Sequence, residues 1–450
     1  MKKKIILLAI AIFFIGNCVV KAQDNNNNQI TVTDKKGKTE VIELPEAMTI
    51  SSDSLMNLFN SKKYLAADTN CNMQDVNPVF SKEVYIKRLS RIPSIIEMPY
   101  NDVVQKFIDR YSGKLRRSVA YMLGAQNFYM PIFEQALETY GLPLELKYLP
   151  VIESALNPNA ISRVGATGLW QFMIKTSKRY DLKVNTLVDE RRDPIKASYA
   201  AAHYLSDLYK EYGDWNLVIA AYNCGPDQIS KAMRRSNGEK DYWKIYPYLP
   251  KETRGYVPAF IAANYIMTYY CDHNICPLKS ELPEKSDTVI VSKNINLAQI
   301  SAVCGISMDE LRTLNPQYRR DIVDGATEPS IIRMPESIIN KFIDNEDSVY
   351  NYKSKDIQEK RTEVDVKDEV PASYNTHRYS YSRHSNNNSD FRRRKRKSHK
   401  KSHVNKSVTI KEGQTLSEIA EKHHTTVKKL RKLNGISGTN IRSGKKIKVK

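Results

Sequence analysis

The stretch from Leu142 to Met173 constrains this chain more than any other. It opens Leu142-Pro143-Leu144-Glu145-Leu146-Lys147-Tyr148-Leu149-Pro150-Val151-Ile152-Glu153-Ser154-Ala155-Leu156-Asn157-Pro158 and closes Gly165-Ala166-Thr167-Gly168-Leu169-Trp170-Gln171-Phe172-Met173. The spacing predicts a mostly apolar helix that ends in Glu153-Ser154 and is stopped by Asn157-Pro158, with a glycine-containing turn beyond it. Pro150 removes a backbone donor and is expected to kink that helix. Val151, Ile152, Ala155 and Leu156 flank Glu153, so its carboxyl is expected beside a low-dielectric wall. Desolvation there raises its pKa and keeps it protonated near neutral pH. A protonated carboxyl in a cleft is a general acid. Alone, Glu153 reads as an ordinary half-buried helix-end glutamate, and what surrounds it must decide.

The N-terminus is Met1-Lys2-Lys3-Lys4 followed by an apolar run from Ile5 to Ile15. That run is short for a bilayer span and fits a signal peptide over 1–22, cleaved after Val20-Lys21-Ala22. A lipoprotein signal at Ile15-Gly16-Asn17-Cys18 competes with it, although Asn17 suits that signal poorly. Residues 23–44 are polar, with Asn25 to Asn28 at their start, and read as a mobile leader. From Ser51 to Tyr129 the apolar spacing is helical: Leu55, Leu58 and Phe59, then Val84, Leu89, Val103, Val104, Phe107 and Ile108. Residues 23–95 are thus a leader plus a helical lead-in. Further helices are expected over Met130–Tyr140, from Asp193-Pro194 to Tyr209, over Trp215–Tyr222 and over Pro258–Tyr270. These extend the helical reading to Tyr270.

The net charge of +20 sits in the tail. Residues 378–406 hold eleven Lys and Arg against Asp390 alone, and 407–450 hold eleven against three acids. Residues 23–377 are close to neutral. This argues against a nucleic-acid-binding core and for a C-terminal part that meets an anionic polymer or surface. Residues 287–335 read strand, helix, helix, strand: Thr288 to Val291, Leu297 to Val303, Met308 to Leu314, and Ser330 to Met334. Residues 345–406 are charged, then Ser-, Asn- and Tyr-rich, and read as a disordered basic linker. Residues 407–450 repeat the strand-helix-helix-strand order, with Gly413-Gln414-Thr415-Leu416 at the first turn, Leu433-Asn434 at a helix end, Ile441 and Gly444 near the end, and a last strand Ile447-Lys448-Val449. The fold class is mainly α, with small βααβ modules (α+β). Of six cysteines, Cys18 leaves with the signal. The other five form neither a disulfide framework nor a zinc pattern. Cys271 and Cys276 could pair in an oxidising compartment, and the sequence leaves that open. Cys224 reads as a packing residue, since no histidine base lies near it in sequence.

Six motifs occur in order: Glu153-Ser154, Asn157-Pro158, Ser162, Gly165-Ala166-Thr167-Gly168-Leu169-Trp170-Gln171, Ala221-Tyr222-Asn223-Cys224-Gly225-Pro226 and Glu252-Thr253-Arg254-Gly255-Tyr256-Val257. Together they resemble the soluble-lytic-transglycosylase family, whose fold is lysozyme-like. The resemblance covers roughly residues 95–275 and implies a lysozyme-like helical domain at 96–276. The βααβ segments resemble LysM, a peptidoglycan- and chitin-binding module, complete at 407–450 and degenerate at 287–335. The resemblance implies roles for particular residues. Glu153 is the catalytic acid and base. Ser162 hydrogen-bonds near the muramic acid substituents, and Gln171 lines the cleft floor. Met173 and Trp170 offer apolar surface on which sugars stack. Tyr222 and Asn223 orient Glu153 or substrate, and Glu252 and Tyr256 border the same cleft. Ser154 reads as a helix-end hydrogen-bonding residue. Trp170 departs from the Met or Ile of many relatives, and Cys224 from their Ala.

Glycosidic cleavage normally calls for two carboxyls, one to protonate the leaving oxygen and one to attack or activate water. Only Glu153 has a convincing setting. Asp189, Glu190 and Asp193 are expected to cap and pair at a helix start. A single carboxyl suits a lytic transglycosylase, which cleaves the β-1,4 bond between N-acetylmuramic acid and N-acetylglucosamine and leaves a 1,6-anhydromuramic acid end. The expected partners are peptidoglycan glycan strands, with LysM taking N-acetylglucosamine-containing glycan. No metal, cofactor or nucleic acid is expected. The chain is expected to be monomeric and exported to the periplasm or cell envelope, with outer-membrane association open. Three other readings compete. A lysozyme-type hydrolase of the same fold needs a second carboxylate across the cleft. A non-catalytic wall-binding scaffold sits poorly with an intact Glu153. A nucleic-acid-binding protein rests on the basic tail alone, against the export signal.

Overall fold

The computed structural model describes residues 28–33, 37–50, 65–67, 71–280, 283, 285–353, 407–410, 416–423, 425–434, 436 and 446–449. The expected signal peptide, the start of the leader through Asn27, the positions Leu55, Leu58 and Phe59, the linker from 354 to 406, and Gly413–Thr415, Ile441 and Gly444 lie outside the described residues. The chain divides into two compact units, at Met1–Tyr374 and Asn375–Lys450. Both follow the expected class, mainly helical with small two-stranded sheets.

The segment expected to be a mobile leader is instead structured from residue 28. Strands β1 (Gln29–Thr33) and β2 (Thr39–Glu43) form an antiparallel hairpin, with Gln29 opposite Glu43 and Thr33 opposite Thr39. Ile30, Val32 and Ile42 face inward and join Leu44, Ala47 and Met48 in the main core. The polar composition concealed a two-residue alternation that is enough to bury one face. Strand β3 (Leu65–Ala67) pairs with a strand more than two hundred residues later, described below.

Helices α1 (Lys82–Leu89) and α2 (Asp102–Ser112) follow. Asn101 caps α2 by accepting from the Val104 amide at 2.9 Å, and Val104, Phe107, Ile108 and Tyr111 are buried. Helix α3 runs unbroken from Arg116 to Thr139, so the separate helix expected at Met130–Tyr140 is its second half. Pro131 lies inside it. Pro131 and Asn127, whose carbonyl a residue at 131 would normally bond, both lie on the exposed side, and the helix continues.

A 3-10 turn at Leu144–Tyr148 leads into the short helix α4 (Leu149–Ser154). Pro150 therefore sits in a first turn, where it is tolerated, and kinks nothing. The helix ends before Asn157-Pro158. Ala155 and Leu156 both have positive φ, at 51° and 58°, and both are buried. Core burial of the two apolar side chains holds a conformation that non-glycine residues rarely adopt.

Next come α5 (Ile174–Arg179), α6 (Pro194–Tyr212), α7 (Trp215–Cys224), α8 (Pro226–Arg235), α9 (Tyr242–Ile245) and α10 (Lys251–Tyr269). Asp193 caps α6, accepting from the Ile195 and Lys196 amides. Helix α10 starts seven residues before the expected Pro258 and carries the Glu252-to-Val257 motif in its first turns. Pro258 is tolerated inside because the Arg254 carbonyl it would have bonded accepts the Tyr242 hydroxyl at 2.9 Å. From Tyr256 to Met267 every residue of α10 is buried. Beyond it, strand β4 (Leu278–Ser280) pairs antiparallel with β3. The disulfide here is Cys71–Cys276, with 5.8 Å between Cα atoms, and Cys271 is free and exposed. Asn274, in the left-handed region at φ 53°, closes the 3-10 turn Cys271–His273, and the pairing of β3 with β4 brings the segment around Cys276 to the one that carries Cys71.

Residues 285–353 of this unit form a βααβ body with two further helices. Strand β5 (Ser286–Val291) pairs antiparallel with β8 (Ser330–Pro335), and β6 (Asn294–Asn296) with β7 (Ile322–Asp324). Helices α11 (Leu297–Cys304) and α12 (Met308–Leu314) lie between. The body then continues through α13 (Glu336–Asp344) and α14 (Glu346–Asn351), whose Val349 and Tyr350 enter its core. The first residues of the expected linker are thus structured. The body is seated on the helical domain by main chain: the Asp189 amide donates to Gln317 and the Arg319 amide to Leu187, each at 2.9 Å.

The second unit holds strands β9 (Ser407–Thr409) and β10 (Lys446–Lys448), paired antiparallel, and helices α15 (Leu416–Lys422) and α16 (Val427–Asn434). Ile410, Leu416, Ile419, Leu430, Ile447 and Val449 form its core. Asn434 closes α16 onto β10, accepting from the Lys448 amide at 2.7 Å and donating to its carbonyl at 2.8 Å. In the first body Asn315 does the same to Arg333, each bond at 2.8 Å. The two Leu-Asn helix ends are one device used twice.

Candidate active site

The eight residues singled out in the sequence (Glu153, Ser162, Gln171, Met173, Tyr222, Asn223, Glu252 and Tyr256) all line one cleft of about 330 Å³. Four elements bring them there: the end of α4, the loop into α5, the end of α7 and the start of α10.

Glu153 is half-buried and reaches solvent through this cleft. The Tyr256 hydroxyl donates to its Oε1. Burial pushes the Glu153 pKa up to about 8; the Tyr256 bond opposes this, and the charges of Glu252 and Glu46 add to it. Glu153 is therefore protonated at neutral pH. Tyr256 and Tyr222 are themselves raised, first by burial and then by the charge of Glu153, so both stay neutral donors. Glu252 is raised by burial, then by Glu43 and Glu46.

The loop from Ile161 to Phe172 is held from behind. Isolated bridges join Ile161 to Thr167 and Thr167 to Phe172. Gly168, at φ 90°, lies so close to the Arg191 carbonyl that a Cβ would come within 1.8 Å of its oxygen. Arg191 is buried and donates from Nη1 to the Gly165 and Phe172 carbonyls, both at 3.1 Å. Asp189 fixes the guanidinium through two bonds of 2.8 Å. Glu190 accepts from the Lys183 amide and Lys196 Nζ. The acids at 189–193 thus serve pairing and capping, and none lines the cleft. The Ser154 hydroxyl shares its proton between the Pro150 and Leu169 carbonyls, tying α4 to this loop.

Gln171, at φ 48°, donates from Nε2 to the Gly168 and Ala160 carbonyls. The Ser162 hydroxyl accepts from the Ala166 amide at 2.9 Å. Met173 is exposed on the wall. Trp170 does not supply a sugar-stacking face: it is fully buried against Phe133, and its Nε1 donates to Ser198 Oγ at 2.9 Å. A ring of that size in an apolar helix interface is better placed in the core once its one donor has a partner. Tyr222 bonds the Trp170 carbonyl at 2.8 Å, not Glu153. Asn223 accepts from the Thr253 hydroxyl at 2.9 Å and so joins α7 to α10.

Two residues escape the sequence reading. Arg191 is hidden in a charged run, where a buried Arg-Asp pair has no mark of its own. Glu46 lines the cleft beside Pro45, directly after the segment read as a leader. Its carboxylate accepts from the Arg163 amide at 3.0 Å and pairs with Arg163 Nε at 3.8 Å.

Residues 130–245 match the Transglycosylase SLT domain family. Residues 285–351 match the LysM-like domain described for lytic transglycosylase MltD, and 408–450 match the LysM domain. Among curated proteins, the chain is 32% identical over 200 residues to membrane-bound lytic murein transglycosylase D of Escherichia coli, a match covering 44% of each chain. The chain thus spans less than half the length of that relative. It is 32% identical over 124 residues to the soluble lytic murein transglycosylase of Escherichia coli, covering 26% of this chain and 19% of the other. Among solved structures, the 70 kDa soluble lytic transglycosylase of Escherichia coli is 28% identical, with 33% of this chain and 25% of that one covered and a TM-score of 0.28.

Proposed function

We propose that this chain, in which an SLT domain is followed by an MltD-type LysM-like domain and a LysM domain, is a lytic transglycosylase of peptidoglycan. The observation that carries the proposal is the carboxyl of Glu153, raised to a pKa of about 8 and held by Tyr256 in a cleft. Such a group is protonated when substrate arrives and can give its proton to the glycosidic oxygen of the departing N-acetylglucosamine. As that bond to the anomeric carbon breaks, the 6-hydroxyl of the same muramic acid forms a new one. Its proton passes to Glu153, which returns to its starting state. No water enters the balance, and the product ends in 1,6-anhydromuramic acid. The Tyr256 hydroxyl stabilises the carboxylate that exists between the two transfers.

Ser162, Gln171 and Met173 then serve as the substrate-facing floor, and Asn223 and Glu252 border it. LysM binding to N-acetylglucosamine-containing glycan tethers the enzyme to the wall as a monomer. A cell-envelope location, in the periplasm or at the outer membrane, agrees with the Cys71–Cys276 disulfide. No helix among the described residues is long and apolar enough to cross a membrane.

A second reading gains from one observation. Glu46 and Glu252 bring two more carboxyl groups to the cleft, and hydrolysis would need one of them to hold a water. Digestion of purified sacculi in water enriched in heavy oxygen, followed by mass spectrometry, separates the two. Unlabelled anhydro ends support transglycosylation; label at new reducing ends means hydrolysis.

A further inference from the structure

The hairpin β1–β2 and the Pro45–Glu46 turn lie outside the part of the chain that matches the SLT family, yet they reach its cleft. Three contacts fix them. The backbone of β2 lies flush on α10 at Gly255, where a Cβ would come within 2.7 Å of the Glu43 carbonyl oxygen and 3.0 Å of Ile42 Cγ2. Glu40 pairs with Arg254 Nη1 at 2.6 Å. Glu46 accepts from the Arg163 amide on the loop that carries Ser162. The first two contacts anchor the hairpin on the helix that supplies Tyr256 and Glu252. The third reaches across to the opposite wall. The strap therefore spans from the Tyr256 helix to the Ser162 loop, and Glu46 is its end point.

That loop has little else on its outer side. Ile161, Arg163 and Val164 are all exposed; around Arg163 the loop's own bonds join Ser162 to Ala166 and Gly165 to Ser162, and beyond them Thr167 bonds Gly165 and Phe172. Arg191 holds the loop only from Gly165 onward. The amide of Arg163 thus takes its acceptor from a segment more than a hundred residues earlier.

We propose that Glu46 is a positioning residue for the substrate: it sets the distance between the Ser162 loop and Glu153, and so the place of the sugar at that subsite. This rests on the peptidoglycan reading above. The role belongs to the acceptor oxygen that meets the Arg163 amide. The carboxylate's charge is secondary, because the Arg163 guanidinium is largely exposed and screened.

The test compares Glu46→Ala with Glu46→Gln in the full chain. Glutamine keeps a carbonyl oxygen for the Arg163 amide. Hydrogen exchange at Arg163 to Ala166 is read first and needs no substrate. In the alanine variant it should be about tenfold faster, and in the glutamine variant close to wild type. On soluble glycan fragments, the alanine variant should lose about tenfold in kcat/KM, chiefly through KM, and the glutamine variant should recover most of that. Unchanged exchange in the alanine variant overturns the proposal. So does a glutamine variant as damaged as the alanine one with kcat lost, which would make Glu46 a chemical participant. If the wild-type protein released no anhydro product, the functional reading would fail while the exchange data still decided the role of Glu46.

Discussion

Tyr256 donates its hydroxyl to Glu153, a residue 103 positions earlier in the chain, and both residues line one cleft. The bond stabilises the charged form of Glu153, against burial, which favours the neutral form. Removing it in Tyr256→Phe should raise the Glu153 pKa above its present value of about 8. The carboxylate formed in mid-reaction loses its donor, so kcat should fall by about tenfold to a hundredfold. The alkaline limb of the kcat–pH profile should move to higher pH. A limb that moved down, or stayed in place with normal kcat, would remove Tyr256 from this role.

Glu153→Gln should abolish turnover, since an amide holds no transferable proton, and should leave sacculus binding nearly intact. It should also change stability in a pH-dependent direction. The folded pKa of Glu153 lies at about 8, above its ordinary value of 4.5. Between those values the folded protein keeps a proton that the unfolded chain has released. Stability therefore declines as pH rises from 4.5 through 8. Glutamine removes that penalty. Near pH 4 the variant and wild type should melt together, and at pH 9 the variant should melt higher by at least about 3 °C. Calorimetry at the two pH values checks the sign.

The two glycines of the floor loop should answer differently to alanine. Both have positive φ, at 88° for Gly165 and 90° for Gly168. A Cβ at Gly165 meets nothing within 4 Å, so only the backbone strain counts, about 1 kcal/mol. A Cβ at Gly168 meets the Arg191 carbonyl, so Gly168→Ala should cost about 2–4 kcal/mol and displace the loop that carries Gln171. Urea unfolding gives both numbers. Equal losses would mean that the Arg191 backbone yields.

These contrasts show where the sequence was legible. Glu153 stood out because its apolar flanks and the ordered motifs point to one carboxyl, and that carboxyl lines the cleft with its pKa raised by burial. The βααβ bodies were legible from their apolar spacing and, in the C-terminal one, from the Leu433-Asn434 helix end. The hairpin was not, since composition spoke for disorder and the alternation of Ile30, Val32 and Ile42 is only a few residues long. Trp170 was misplaced because burial or exposure of an aromatic depends on what packs against it, here Phe133 and Ser198 from other helices. The pairing of Cys71 with Cys276 goes with β3 meeting β4, a long-range outcome.

The boundary of the first βααβ body gives the last test. Sequence composition ends ordered structure at about residue 345, but α14 lies beyond that point and completes the core. Gln299 is fully buried, and its Nε2 faces the carbonyls of Val349, Tyr350 and Tyr352 at 3.2, 3.2 and 2.9 Å. Val349 and Tyr350 are buried beside it. A chain ending at Lys353 keeps all of this, whereas one ending at Asp344 strips Gln299 of its acceptors and exposes the core under α14. The two truncations lose the same basic segment and C-terminal module, so both should bind sacculi more weakly than the full chain. Their stabilities should differ. The chain ending at Lys353 should keep its cleavage of short soluble glycans, and the shorter one should be less stable by about 3 kcal/mol from the unsatisfied amide and lost apolar burial. Denaturant unfolding of the pair decides it: equal midpoints would place 346–351 outside the folded body after all.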